Sequence, residues 1–203
     1  MTAPGPMLRR TLLLAAAAAP LVPAVARAAE AAGAVEEARG TVTAERAAQR
    51  RALVPRSDVF VGDTVATASE SRAALQLGQT TSLRLGARAR VRIDRFLVNQ
   101  GGVLTLEDGP ILLDKTGGDA AHPVQVQGGF GLITVRGTRI FAGPSNGVFA
   151  IFVVHGVIDV TAGGQRFALQ TGEGTNIAAP GGPASPPVKW GEVRVRAALA
   201  SVT

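Results

Sequence analysis

Short apolar stretches recur along most of the chain, from about residue 53 to residue 177, and Gly, Asp, Asn or Pro separate them. Many short strands with a turn about every 8–12 residues are typical of β-sandwiches, barrels and solenoids. One run, Val148 to Val154, is apolar without interruption, which favours a central strand covered on both faces. The pattern therefore predicts an all-β fold: a single domain of many short strands in a solenoid-like or rolled β-structure.

The clearest alternation lies between Leu83 and Ile93, where apolar residues occupy one parity and charged residues the other. A period of two is that of a strand with one buried face. We therefore expect a half-buried strand with a row of arginines on its outer face and a fifth arginine on an adjoining strand. The row is Arg84, Arg88, Arg90 and Arg92, and the fifth residue is Arg72.

The two ends of the chain depart from this pattern. Residues 29–39 are expected to form a flexible N-terminal segment. Residues 44–53 could support a short helix, although Gly40 to Thr43 favours the start of a strand. Four prolines within residues 180–187 predict an extended linker. We place the β domain at 40–179 and a C-terminal segment at 188–203. Apolar spacing from Trp190 to Val202 favours a short helix there, although Val193 to Arg196 also alternates.

Residues 1–28 have the pattern of an export signal. Arg9 and Arg10 precede an apolar run, two prolines follow, and Ala26-Arg27-Ala28 forms a small-residue cleavage site. The paired arginines are compatible with the twin-arginine route as well as the general secretory route. A retained anchor is the alternative, but the prolines leave a helix shorter than the ~20 apolar residues that a span prefers. We expect a periplasmic protein with no transmembrane span after cleavage.

Composition narrows the chemistry available to the mature chain. Removing residues 1–28 takes away three arginines and no acid, so the net charge falls from +6 to +3. That is not the concentrated basic face of a nucleic-acid-binding domain, and no nucleic-acid partner is expected. The chain has no Cys, which excludes disulfides, thiolate metal sites and cysteine nucleophiles. With only two histidines we expect neither a metal site nor a cofactor.

No motif completes a catalytic constellation. Asp114-Lys115-Thr116-Gly117 spells the core of a phosphorylated-aspartate site, but the other acidic residues of such a site are not recognisable, and a strand that ends in a polar turn explains it. His122 and His155 have no second ligand at metal-binding spacing. Paired glycines never reach the spacing of a phosphate-binding loop. The sequence therefore predicts a protein that is not an enzyme.

A series of short motifs resembles the FecR domain family in its order. The series runs from Val61-Gly62-Asp63-Thr64 through Arg136-Gly137-Thr138 and His155-Gly156-Val157 to Thr171-Gly172-Glu173. Ala68 stands where the family usually has Gly, and Phe141 lies one place late after Gly137-Thr138; neither change removes a strand. The resemblance, over about residues 40–177, implies a small all-β, solenoid-like domain that senses or interacts in the periplasm.

The motif residues themselves have an architectural explanation. Glycines and small polar residues of this kind sit where turns need positive φ or where backbones approach closely. We therefore assign a structural role to Gly62, Asp63, Gly137, Thr138, Gly156 and Gly172.

Two functions follow as hypotheses. The first is a non-enzymatic periplasmic FecR-like sensing or protein-interaction module whose partner is a periplasmic or envelope protein. Regulators of this family also carry an anti-sigma segment and a membrane helix, so we expect a standalone domain to signal through a separate partner. The second is a cell-envelope structural protein that binds an acidic polymer or anionic ligand through the arginine row, since guanidiniums bind carboxylates and phosphates in bidentate fashion.

Overall fold

The computed structural model describes residues 30–97, 100–117 and 122–203, and the predicted export signal lies outside these ranges. Within these ranges two nine-stranded sheets contain all the strands. Along the first sheet the strands are β18 (Val188–Lys189), β17 (Glu173–Ile177), β14 (Val148–His155), β13 (Arg139–Ser145), β10 (Ile111–Lys115), β7 (Thr81–Leu85), β6 (Arg72–Leu77), β1 (Ala31–Arg39) and β4 (Asp58–Phe60).

The second sheet has the same progressive order. Its strands are β16 (Gln165–Gln170), β15 (Val157–Ala162), β12 (Gly131–Val135), β11 (Val124–Gly128), β9 (Gly101–Asp108), β8 (Arg90–Leu97), β5 (Thr64–Thr67), β2 (Val42–Arg46) and β3 (Gln49–Ala52). Neighbouring strands are antiparallel except β9 and β11, which are parallel. A single helix, α1 (Glu192–Ala200), follows the last strand.

The main core lies between the two sheets. Its buried side chains alternate along each strand, so that Leu83 and Leu113 of the first sheet belong to the same cluster as Ile93, Leu104 and Ile133 of the second. This is the period-two burial that the apolar pattern predicted. The all-β class and the single domain are therefore confirmed, while the described strands show neither a closed barrel nor a solenoid.

A second apolar cluster covers the outer face of the first sheet. On β14, Ile151 and Val153 enter the main core, whereas Ala150 and Phe152 face α1. Covering on both faces is what the continuous apolar run predicted, and it is confirmed. The short C-terminal helix is confirmed as well, and it supplies the second cover.

Trp190 fixes the start of that helix. Its ring stacks on Phe152 with centroids 4.7 Å apart and meets Phe141 edge-on at 6.4 Å. The Arg194 guanidinium lies 3.7 Å from the ring centroid and donates to Ser145 Oγ and Asn176 Oδ1. Burial lowers the pKa of Arg194 from its usual value. Because α1 has no side-chain N-cap bond, these contacts rather than its own ends hold it in place.

Three local expectations are wrong. Residues 29–39 are not a flexible segment, because Ala31–Arg39 is β1, which pairs with both β4 and β6. Residues 44–53 contain no helix, because β2 and β3 form a hairpin there. The strand expected from Leu83 to Ile93 is two strands, β7 and β8, which belong to different sheets.

The third error has a simple physical cause. The chain turns between the sheets at residues 86–89, where Arg88 has φ +55° and Ala89 N donates to Thr67 Oγ1. Both sheets face the same core, so the apolar parity continues through the corner without interruption. Alternation alone therefore cannot separate one long strand from two strands that meet at a corner.

The proline-rich segment at residues 180–187 contacts the end of β17. Ala184 forms an isolated β-bridge with Ile177, and Ser185 N donates a hydrogen bond to Asn176 O.

Asp63 organises the turn between β4 and β5. Its carboxylate is fully buried and accepts from Phe60 N at 2.9 Å. Arg51 donates to the same carboxylate in a close ion pair, and Arg46 Nε lies 3.6 Å from its other oxygen. Both guanidiniums also lie over the Phe60 ring. Gly62 takes φ +88° in this turn, so the glycine and the aspartate of the motif both shape the turn between β4 and β5.

Replacing Asp63 should be costly. Asp63→Asn leaves two guanidiniums facing an uncharged amide in a buried position, and we expect a loss of about 2 kcal/mol or more in the free energy of unfolding. Glu107→Gln is the matched control because it removes an equal charge from the exposed pair with Arg90, which should cost under about 1 kcal/mol. Urea unfolding followed by circular dichroism measures both, and equal losses would contradict the role given to Asp63.

The backbone at Gly156 allows a second comparison. Gly156 has φ +93°, and a Cβ there would lie 2.3 Å from Cγ2 of the buried Thr138. Gly147 has a similar φ of +79° but open space around it. Gly147→Ala should therefore cost about 1 kcal/mol from backbone strain alone. Gly156→Ala should cost at least about 1 kcal/mol more because of the contact. A thermal unfolding series that ranks the two variants in the opposite order would refute this.

Candidate functional site

The predicted arginine row is divided between the two sheets. Arg72 and Arg84 lie on the first sheet, on β6 and β7, whereas Arg90 and Arg92 lie on β8 of the second. Arg88 belongs to neither, since it is an exposed residue of the corner that joins them. The expectation of one arginine-lined strand face is therefore wrong, because the chain changes sheets in the middle of the pattern.

Arg90 and Arg92, the predicted arginines that lie on the second sheet, are paired with carboxylates. Arg90 Nε donates to Glu107 Oε2 at 2.6 Å, and its Nη2 lies 3.8 Å from Glu45 Oε2. Arg92 forms a 2.5 Å ion pair with Asp94. These carboxylates come from β2, β9 and β8 itself, so neighbouring strands of the same sheet neutralise these two arginines.

Charges are also paired near the opposite edge of the second sheet, around Asp159 of β15. Arg136 and Arg166 both donate to Asp159 Oδ2, at 3.0 and 3.2 Å. The hydrogen bond from Arg136, assisted by the bond and charge of Arg166, holds the pKa of Asp159 below its usual value despite partial burial. Asp159 therefore remains an anion between two cations, and the arginines it engages are not free for a ligand.

The first sheet presents a different arrangement, a set of three arginines that we call the arginine cleft: Arg39, Arg72 and Arg84. Arg39 lies directly opposite Arg72 across the β1–β6 pair. Arg84 lies opposite Ala74, which in turn lies opposite Glu37. The three guanidinium-bearing positions therefore occupy adjacent places on three neighbouring strands.

The end of α1 forms one wall of this cleft. Arg72 Nη2 donates to the carbonyl of Ala200 at 3.1 Å, which satisfies a carbonyl at the end of the helix. Arg72 Nε is buried and has no hydrogen-bond partner. Within the described ranges no carboxylate lies within 4 Å of the guanidinium nitrogens of these three arginines. The cleft encloses a cavity of about 240 Å³ lined by Glu37, Arg39, Arg72, Arg84, Val202 and Thr203.

Sequence reasoning found two of the three cleft arginines and missed Arg39. The reason is a β-bulge between Val35 and Glu37, which shifts the parity of β1 and hides its strand pattern. Once the register is known, Glu37 and Arg39 fall on the outer face. The signal in the sequence was the pair of acidic residues followed by Ala38-Arg39, which carries no strand signature by itself.

The motif residues assigned a structural role lie at turns that join the two sheets. Gly62, Gly137, Gly156 and Gly172 all have positive φ, between +65° and +93°. Gly156 N donates to Thr171 Oγ1 at 2.9 Å, and Thr171 Oγ1 donates back to Gly156 O. Together with the close approach of Gly156 to Thr138, this contact gathers three motifs at one end of the sheets.

Residues with catalytic potential are not assembled. Asp114 pairs with Arg139 at 3.7 Å, and Lys115 Nζ donates to Thr80 Oγ1. Over residues 30–97, 100–117 and 122–203, no three His, Asp or Glu side chains come together as a metal site would need. In the same ranges no helix has the length and apolar content to cross a membrane. The arginine cleft is therefore the candidate site, and its guanidiniums are suited to binding anions.

The comparisons with known proteins agree with this architecture. Residues 63–159 match the model of the FecR protein family. Two crystal structures of a candidate anti-sigma factor from Parabacteroides distasonis, at 1.65 and 2.50 Å, superimpose with a TM-score of 0.57 at 16% identity. The match covers 67% of this chain and 64% or 63% of those chains, slightly less than two thirds of their length. No curated protein matches this chain.

The likeness to the solved structures shows the shared fold. The family match begins at Asp63, the buried carboxylate of the β4–β5 turn, and ends at Asp159, so it spans the central strands of both sheets. It includes the Gly137-Thr138 and Gly156 turns. Over these residues the chain matches the FecR family model, which confirms the resemblance that its motifs predicted.

Proposed function

We propose that this protein is an exported, non-catalytic sensing module that acts in the periplasm through a protein partner. The observation that carries the proposal is the FecR match, which occupies the centre of both sheets rather than an appendage. The neighbouring solved structure is described as an anti-sigma factor candidate, which points in the same regulatory direction. A role in controlling sigma-factor-dependent transcription, relayed by a separate protein, is the form of signalling that we infer.

The polar surface supports binding rather than turnover. On the second sheet the acidic and basic groups neutralise each other in pairs. An opposite charge favours the ionised form of a carboxylate, whereas a general acid or base needs a pKa near the working pH. The alternative of an acidic polymer held along five arginines loses its geometric basis, because those arginines point from two sheets and a corner.

The course of the chain also favours a rolled, solenoid-like description of the domain. Strands enter the two sheets in turn, and each new strand or hairpin is added beside an earlier one. Winding of this kind buries a continuous core between successive layers. We infer that the domain is wound progressively from residue 31 to residue 177.

Export is tested by the fate of the N-terminus. In the producing bacterium, N-terminal sequencing of the periplasmic protein should give Ala29 as the first residue, because Ala26-Arg27-Ala28 fits a signal-peptidase site. An Arg9→Lys/Arg10→Lys variant should stay in the cytoplasm if the twin-arginine route is used, and should be exported normally by the general route. A full-length chain recovered only from the cytoplasm would contradict the proposal.

Signalling is tested by transcript profiles of cells that lack the chain. We expect a reproducible set of transcripts to change, and we expect the wild-type chain, but not a chain without residues 2–28, to restore it. No change in transcripts, or equal rescue by the leaderless chain, would contradict a periplasmic signalling role. Turnover of ester, glycan or phosphate substrates by the purified protein would contradict the non-catalytic assignment.

A further inference from the structure

The arginine cleft on the outer face of the first sheet has the properties of a ligand site. We propose that Arg39, Arg72 and Arg84 bind a compact anion, either a phosphate group or a dicarboxylate. The inference goes beyond the signalling role above and does not depend on it, since it rests only on the geometry of these three side chains.

The register of β1 and β6 is the first argument. Arg39 and Arg72 are directly opposed across an antiparallel pair. Like charges in that position repel and destabilise the sheet, whereas an acidic residue at either place would stabilise it. Arg84 adds a third positive charge on the diagonal. Local conflicts of this kind are concentrated at functional sites, where a ligand supplies the missing opposite charge.

The second argument is the unsatisfied hydrogen-bonding capacity of Arg72. Its Nη2 is used by the carbonyl of Ala200, but its Nε is buried without a partner. A buried donor left unpaired costs free energy, more so when it belongs to a charged group. Anion oxygens in the cleft could accept from Nε, so the contact to the helix end holds Arg72 in place while leaving a donor available.

The charge and size of the cleft define the class of ligand. Three guanidiniums against one acidic side chain, that of Glu37, leave an excess of positive charge that an anion would neutralise. The cavity of about 240 Å³ has room for a small ligand rather than for a polymer. Guanidiniums bind phosphate and carboxylate oxygens through paired donors, and both groups share this chemistry. Occupancy would also fix Arg72 and thereby hold the end of α1 against the sheet.

Binding is tested on the whole mature chain with two probes, inorganic phosphate and succinate, titrated at constant ionic strength. Isothermal calorimetry gives the affinity, and amide shifts in ¹H–¹⁵N spectra give the location. We expect shifts centred on residues 39, 72 and 84 for one or both probes. A response to phosphate alone assigns a phosphate ligand, and a response to succinate alone assigns a dicarboxylate.

Arg84→Gln and Arg39→Gln are the informative variants, because neither side chain makes a hydrogen bond or ion pair in the structure that folding would miss. Each should weaken binding about tenfold, the effect of losing one charge-assisted contact. Arg95→Gln is the matched control, since it removes an equal charge from an exposed site on the second sheet. Equal weakening by Arg95→Gln and Arg84→Gln would reduce the effect to general electrostatics and overturn the proposal.

Glu37→Gln provides a test of opposite sign. It removes the one acidic side chain in the described lining of the cleft, so it should tighten binding of the same probe, whereas Glu36→Gln at the neighbouring bulge should leave the affinity nearly unchanged. Variants that only damaged the fold would weaken binding instead. Absence of binding by both probes at millimolar concentration, or weaker binding by Glu37→Gln, would overturn the assignment.

Discussion

The constraint on which this structure depends is that the chain must pass repeatedly between two sheets that share one core. Every such crossover contains, among its described residues, one with positive φ, a conformation that Gly adopts readily and that residues other than Gly, Asn and Asp rarely adopt. Tight corners of this kind keep both sheets close enough to bury the same side chains. The residues at these corners are Gly40, Arg56, Gly62, Glu70, Arg88, Gly109, Gly117, Gly137, Gly156 and Gly172.

Much of the fold was predictable because burial in a sheet leaves a period of two in the sequence. The all-β class, the doubly covered strand at Val148–His155 and the C-terminal helix were all predicted from that periodicity or from apolar spacing. What could not be predicted is where the period crosses from one sheet to the other. Corner residues such as Arg88 and Glu70 carry no glycine signature, and the bulge in β1 removes the alternation where it would have helped.

The candidate site illustrates the same limit. Arg72 and Arg84 were singled out as charged residues on strands, yet their grouping with Arg90 and Arg92 assumed a single face. The alternation of apolar and polar positions shows whether a side chain points towards the core. It does not show which of the two sheets carries that side chain. Only the strand order brings Arg39 beside Arg72, and only the packing of α1 on the Leu112–Phe141–Phe152 surface brings the helix end to both.

The strand order also limits the distance along the chain between paired residues, as in the pairs Gly33–Leu77 and Phe149–Ile177. New strands can be added in chain order to an edge that already exists, and each addition costs the entropy of closing the intervening loop. The bond from Arg72 to Ala200 is an exception, since it joins positions 128 residues apart. The arginine cleft is therefore complete only when the nine-residue C-terminal helix is docked on the sheet.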